Sequence, residues 1–83
     1  MRIIDSGRVI RFRVKNGIES VEIPGIKEIN ALVGHRILIT KGKGAGQHSG
    51  IFSNDRFSIT TEFNWEIRPD ATSEYQIIDT RPF

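Results

Sequence analysis

The fold is decided by the stretch IRFRVKNGIESVEI, residues 10–23. Apolar and basic residues alternate along its first half, which reads Ile10, Arg11, Phe12, Arg13, Val14, Lys15. An alternation with a period of two residues is typical of a strand that is buried on one face. The arginines and the lysine therefore belong to the outer face of a strand, and the apolar side chains between them belong to its core face.

The centre of this stretch predicts a β-hairpin. Asn16-Gly17 is a preferred sequence of the type I′ turn, in which both central residues have positive φ. A two-residue turn fixes the strand register. Counting outward gives four facing pairs, which are Lys15 with Ile18, Phe12 with Val21, Arg11 with Glu22, and Ile10 with Ile23. One face of the hairpin is then apolar, and the other pairs opposite charges.

The rest of the chain predicts further short strands. Residues 36–40, 49–53, 56–61 and 74–79 have strand-like sequences, and Asn54-Asp55 is a second tight-turn signal. Residues 26–33 are ambiguous, because their apolar spacing suits either a short helix capped by Gly34 or an irregular crossover. Punctuated short strands predict an all-β fold, a small antiparallel β-barrel or sandwich of five to seven short strands.

The length of 83 residues predicts one domain, residues 1–83, with short N- and C-terminal extensions. We treat Met1–Ile4 and Thr80–Phe83 as these extensions, and we expect Phe83 to lie against a neighbouring subunit. Alternation predicts a core made of Ile10, Phe12, Val21, Ile23, Ile37, Ile39, Phe57, Ile59, Trp65 and Ile77. The N-terminus lacks the apolar segment of a signal peptide, so we expect synthesis in a host cytoplasm.

Motifs for chemistry are poor in this sequence, and we expect no catalytic, cofactor or metal site. The glycine-rich residues 42–46 are not followed by the Lys-Ser/Thr pair of a phosphate-binding loop. The chain has no cysteine and two histidines, whereas a structural zinc site usually takes four Cys or His ligands. The residue types of a nucleophilic triad occur in any protein, so their presence does not indicate a site. Paired carboxylates, such as Asp70 with Glu74, are typical of ordinary solvated surface charge. An enzyme is therefore disfavoured.

Three separated elements form a recognisable series. They are GKGAGQ at 42–47, Trp65, and PDATSEYQI at 69–77. The series resembles a Gly-x-Gly-Ala-Gly-Gln … Trp … Pro-Asp-Ala-Thr-Ser-x-Tyr-x-Ile pattern found in small β-modules of phage virion proteins, including head-surface and tail-fibre components. The chain departs from that pattern at His48 and Ser49, near which the pattern commonly has an arginine. The motif residues are Gly42, Gly44, Gly46, Gln47, Trp65, Pro69, Asp70, Thr72, Ser73 and Tyr75.

These motif residues also have a physical interpretation. The Gln47 amide can bind loop backbone, and Asp70, Thr72 and Ser73 can accept hydrogen bonds from backbone amides in turns. Trp65 can fill the space under a long loop. The motif therefore predicts a long loop that is held still without a helix.

The resemblance implies a non-enzymatic phage virion structural protein, for example a capsid decoration, head-surface or fibre-associated module, located in the virion. An alternative is a carbohydrate- or receptor-binding module of a phage adhesin or secreted protein, in which Trp65, Tyr75 or Phe63 stacks on sugar rings. A basic nucleic-acid-binding barrel is less favoured. The net charge is only +2, and Phe12 alternates away from the arginines, whereas a stacking platform needs both on one face.

The uneven distribution of charge along the chain predicts that copies of it assemble with one another. Residues 1–50 carry nine Lys/Arg against four Asp/Glu, and residues 51–83 carry three against six. Copies of the chain can thus offer each other complementary surfaces. We expect capsid or fibre subunits as partners and a homo-oligomer, a trimer before a dimer, with Arg11, Arg13 and Phe83 as partner contacts and no membrane contact.

Overall fold

The structure, a computed structural model, describes residues 2–79 and contains seven β-strands. The strands are β1 (Arg2–Arg8), β2 (Arg11–Lys15), β3 (Ile18–Glu22), β4 (Arg36–Lys41), β5 (His48–Asn54), β6 (Ser58–Thr61) and β7 (Glu74–Asp79). This confirms the prediction of an all-β fold with five to seven short strands. Within residues 2–79 there is no helix long and apolar enough to cross a membrane.

All seven strands belong to one antiparallel sheet in the order β1-β7-β4-β5-β6-β3-β2. β5 joins its two halves, because residues 48–50 pair with β4 and residues 51–54 pair with β6. The edge strands β1 and β2 are consecutive in the chain. Between them, Val9 N–H donates to the Ser73 carbonyl at 2.9 Å, and Ile10 N–H donates to the Glu22 carbonyl at 2.8 Å. The sheet therefore encloses one core in the manner of a small barrel or sandwich, although β1 and β2 do not pair.

The β2–β3 hairpin has the predicted turn and register. Asn16 and Gly17 have φ values of 52° and 78°, as a type I′ turn requires. Phe12 pairs with Val21, and on the outer face the Arg11 guanidinium contacts the Glu22 carboxylate at 2.7 Å. The ladder ends at this last pair, so the predicted facing of Ile10 with Ile23 is wrong.

Most of the predicted core is buried. The buried members are Val21, Ile23, Ile37, Ile39, Ile59, Trp65 and Ile77, and Phe12 is half-buried against them. The prediction that Ile10 and Phe57 belong to the core is wrong, because these side chains are 46% and 55% exposed. Ile10 lies in the link where the chain changes partner strands, and Val9 fills the core there instead. Phe57 lies in the turn before β6 and not on a strand.

The expected N-terminal extension is also wrong. Residues 2–8 form β1, which pairs with β7 from Arg2–Asp79 to Arg8–Glu74. The register shifts between Ile3 and Asp5, so Ile4 is a bulged residue. The sequence hid this strand because the bulge breaks the alternation, and because Asp, Ser and Gly are poor strand formers. The predicted C-terminal extension, Thr80–Phe83, lies outside the described residues.

Residues 24–35 cross between β3 and β4 without forming a helix. The buried Asn54 holds this crossover. Its Oδ1 accepts from Leu32 N–H at 2.9 Å, and its Nδ2 donates to the Glu28 carbonyl at 2.9 Å. The ambiguous region is therefore an irregular crossover whose backbone groups are satisfied by a side chain from β5.

The second tight turn lies one residue later than predicted. β5 continues through Asn54, and the turn comprises residues 55–57. Asp55 Oδ1 accepts from Phe57 N–H at 2.8 Å and from Ser58 N–H at 2.7 Å. The hydrogen bond from Phe57, followed by those from Ser58, lowers the pKa of the Asp55 carboxyl, since each favours its charged form.

Candidate functional site

The motif residues lie together at one end of the sheet. Residues 42–47, called here the glycine loop, connect β4 to β5, and residues 62–73, called the long loop, connect β6 to β7. β4 and β7 are neighbours, and Lys41 at the end of β4 pairs with Glu74 at the start of β7. The sheet topology therefore brings the two loops into contact although they are distant in sequence.

Gln47 joins the two loops with its side-chain amide. Its Nε2 donates to the Ile67 carbonyl at 2.7 Å and to the Gly44 carbonyl at 3.0 Å. Its Oε1 accepts from Ile67 N–H at 2.9 Å. Gln47 thus binds both backbone groups of one long-loop residue, which agrees with the role expected for it from the sequence.

A second set of contacts fixes the end of the long loop. Ser73 Oγ donates to the Lys43 carbonyl at 2.6 Å, and Lys43 N–H donates to Thr72 Oγ1 at 3.3 Å. A Cβ added at Gly42, whose φ is 77°, would overlap the Thr72 carbonyl. Glycine is therefore required there by both φ and close approach.

Asp70 closes the turn inside the long loop. Its Oδ1 accepts from the hydroxyl and from the N–H of Thr72, and its own N–H donates to Ser73 Oγ at 3.0 Å. These bonds lower the pKa of the Asp70 carboxyl, the Thr72 hydroxyl having the largest effect. Pro69 beside it is fully buried. The turn is thus an Asx-type turn that replaces regular secondary structure.

Trp65 anchors the middle of the long loop and is 7% exposed. Its backbone N–H donates at 2.9 Å to Oε1 of Glu19, a buried carboxylate on β3. The other carboxylate oxygen accepts from Arg68 Nε at 3.1 Å, and the Arg68 guanidinium lies over the Phe12 ring at 5.6 Å from its centroid. The hairpin and the long loop are therefore joined through a buried charge that has both a partner and a hydrogen bond.

Tyr75 belongs to the core, at 1% exposed. Its hydroxyl donates to Asp5 Oδ2 on β1 at 3.3 Å. Burial, followed by the charge of Asp5, raises the pKa of the phenol, because both disfavour the phenolate. Since Trp65 and Tyr75 are both buried, neither offers a ring face to a sugar, and of the three aromatic residues proposed for stacking only Phe63 is exposed, at 74%.

A pocket of about 330 Å³ opens beside these contacts. One wall is formed by residues 46–49 and the other by residues 63–66. The sequence did not indicate this pocket, because its two walls come from segments that are distant in sequence and are brought together only by the fold.

The predicted partner contacts on the hairpin lie on its outer face. Arg11 is exposed and paired with Glu22, and Arg13 is exposed opposite Ser20. Phe12 points to the other face, as its alternation predicts. Phe83 lies outside the described residues.

The chemistry of the site is that of hydrogen bonding and packing. Within residues 2–79 no three His, Cys, Asp or Glu side chains are grouped as ligands for a metal ion. No protein-family model, no curated protein and no solved structure matches the chain. The resemblance to phage virion modules therefore stays a prediction based on the motif residues themselves.

Proposed function

We propose that this chain is a non-enzymatic structural module of a phage virion, assembled with copies of itself and seated on capsid or fibre subunits. The first support for this proposal is the structural role of the motif residues. Gln47, Asp70, Thr72 and Ser73 all bind loop backbone, so the residues that carry the resemblance maintain the shape of the domain.

The observation that carries the proposal is an apolar surface around the crossover. Five large apolar side chains there are exposed, and we call them the crossover face: Ile26 (79%), Ile29 (64%), Val33 (46%), Phe52 (67%) and Phe57 (55%). Phe52 projects because the register of β5 shifts at its position. Apolar patches larger than a few hundred Å² are rare on monomeric soluble proteins and usually mark contact sites.

Two backbone hydrogen bonds bring together the segments that carry these side chains. Gly34 N–H donates to the Ile51 carbonyl at 3.4 Å, next in sequence to Val33 and Phe52 respectively. Lys27 N–H donates to the Arg56 carbonyl at 3.1 Å, next to Ile26 and Phe57. Full burial of such a side chain contributes about 1.5–3 kcal/mol. Burial of several such side chains would offset part of the cost of association.

The edges of the sheet are less suitable as contacts. The bulge at Ile4 interrupts β1, and Arg11, Arg13 and Lys15 line the outer face of β2. Bulges and basic residues are the usual devices that prevent a further strand from pairing at an edge. We therefore assign the contact between subunits to the crossover face. Among the possible homo-oligomers, we expect a trimer before a dimer.

Incorporation into particles tests this function. The test variant is Ile26→Ser/Ile29→Ser, and the matched control is Val14→Ser/Ile18→Ser at the exposed tip of the hairpin. Mass spectrometry of particles purified from the phage that carries the gene should find the wild type and the control, but not the test variant. Absence of the wild-type chain from particles would refute the virion function, and equal incorporation of both variants would refute the crossover face.

A further inference from the structure

The pocket beside Gln47 has walls that are fixed in advance. The 46–49 wall is joined to the long loop by the two hydrogen bonds between Gln47 and Ile67. The 63–66 wall is held at its start by Glu62 N–H, which donates to the Gly50 carbonyl at 2.9 Å, and in its middle by Trp65 N–H on Glu19. A pocket that needs no ordering on binding loses less free energy when a ligand enters.

One wall carries an exposed aromatic ring. Phe63 is 74% exposed, yet its carbonyl accepts from the Thr61 hydroxyl at 2.8 Å, so its backbone is fixed. Trp65, two residues later, is buried and lines the same pocket. An exposed ring on a fixed backbone offers a flat apolar face to a ligand at low entropic cost.

The polar groups of the pocket include both donors and acceptors. Arg36 donates to His48 Nδ1 from Nε at 3.2 Å and from Nη2 at 2.8 Å. A guanidinium can only donate, so Nδ1 of His48 accepts and the ring N–H is assigned to Nε2. The Asn64 amide and the Glu66 carboxylate also line the pocket, and no hydrogen bond of either side chain occurs within residues 2–79.

This combination selects a chemical class of ligand. An anion would meet the Glu66 carboxylate, and a cation would meet the Nε2–H donor of His48, whose Nδ1 is bonded to the Arg36 guanidinium outside the pocket lining. Hydroxyl groups both donate and accept, so a neutral polyhydroxylated ring suits all these groups at once. The volume of about 330 Å³ is at the lower end of small-ligand pockets, which suits a ligand of one or two rings.

We propose that the pocket formed by residues 46–49 and 63–66 binds a neutral saccharide, with the Phe63 ring against the C–H face of the sugar. Asn64, Glu66 and the Nε2–H of His48 bind its hydroxyls. This goes beyond the structural function proposed above and does not depend on it.

The test is a two-dimensional ¹H–¹⁵N NMR titration of the full chain with four separate probes: methyl glucoside, methyl mannoside, methyl galactoside and N-acetylglucosamine. At least one should shift the amide signals of residues 46–49 and 63–66 with a millimolar Kd. Phe63→Ala should weaken this binding about tenfold or more, because the ring contact is lost. Ile18→Ala is the control, since Ile18 is exposed but lines neither the pocket nor the crossover face.

Three results would overturn the proposal. The first is the absence of shifts in both walls with all four sugars. The second is binding that Phe63→Ala leaves unchanged. The third is a response to lysine methyl ester, a cationic probe, without a response to any sugar, which would assign the pocket to cations. Because Phe63 is exposed, its substitution should leave the melting temperature unchanged, and that measurement separates lost binding from lost folding.

Discussion

Replacement of Gln47 by alanine should show how much of the stability of this domain depends on the contact between its two loops. The change removes three hydrogen bonds, two to Ile67 and one to the Gly44 carbonyl. A typical intramolecular hydrogen bond contributes about 0.5–1.5 kcal/mol net. The two hydrogen bonds to Ile67 are solvent-exposed, so water can replace them. The free-energy contribution of each is therefore at the lower end of that range. We expect a loss of about 2 kcal/mol in the free energy of unfolding.

That loss is large for a chain of 83 residues, whose total stability is on the order of 4–12 kcal/mol. The melting temperature should fall by roughly 8–16 °C. Differential scanning calorimetry and urea unfolding measure the two quantities independently. The control is Gln76→Ala on β7, because the Gln76 side chain is half-buried and makes no hydrogen bond within residues 2–79. If Gln47→Ala and Gln76→Ala had the same melting temperature, the hydrogen bonds of the Gln47 amide would not stabilise the contact between the two loops.

Gln47→Glu gives a second test of the same contact. The carboxylate keeps an acceptor for Ile67 N–H but places negative charge against the carbonyl oxygens of Gly44 and Ile67. At neutral pH this variant should be less stable than Gln47→Ala. At acid pH the protonated carboxyl can donate again, so its stability relative to Gln47→Ala should recover. A deficit that did not change with pH would contradict the assigned hydrogen bonds.

Three further predictions concern the turn of the hairpin, the core, and the loss of stability at acid pH. Gly17→Val should lower the free energy of unfolding measured in urea by about 1–2 kcal/mol or more, because a β-branched residue resists its positive φ of 78°. Trp65→Ala should lower it by about 3–5 kcal/mol, and a variant that kept its melting temperature would show that the ring is not part of the core. Asp55 has a lowered folded-state pKa, so its contribution is present above the ordinary carboxyl pKa near 4 and is lost as the pH falls through the lower folded value. In melting experiments between neutral and strongly acid pH, Asp55→Asn should therefore flatten the acid loss of stability, whereas Glu28→Gln should not.

The hairpin was predictable because its signals are local. Alternation gives the buried face, and Asn16-Gly17 gives the register, so Phe12 and Val21 could be paired from residues that lie within one short stretch. The same alternation failed at Ile10, because the chain changes partner strands there. It failed for β1 because the bulge at Ile4 breaks the period.

The site was predictable only in part. The sequence indicated that Gln47 and Ser73 bind loop backbone, and their side chains do so. It did not indicate that Glu19 is buried: the hairpin register places Glu19 on the same face as Val21, but a carboxylate is rarely buried unless it is paired. Its partners, Trp65 and Arg68, lie 46 and 49 residues away. Such pairings follow from the order of the strands, which no local pattern reveals.

Self-association through the crossover face is the central claim, and multi-angle light scattering at micromolar concentration tests it most directly. The wild-type chain should have a mass above that of the 9.4-kDa monomer, with about three times that value as the first expectation. Ile26→Ser/Ile29→Ser should have the mass of a monomer and an unchanged circular dichroism spectrum, while Val14→Ser/Ile18→Ser should match the wild type. A wild-type chain that stayed monomeric at all concentrations, or a crossover variant that assembled like the wild type, would contradict the claim.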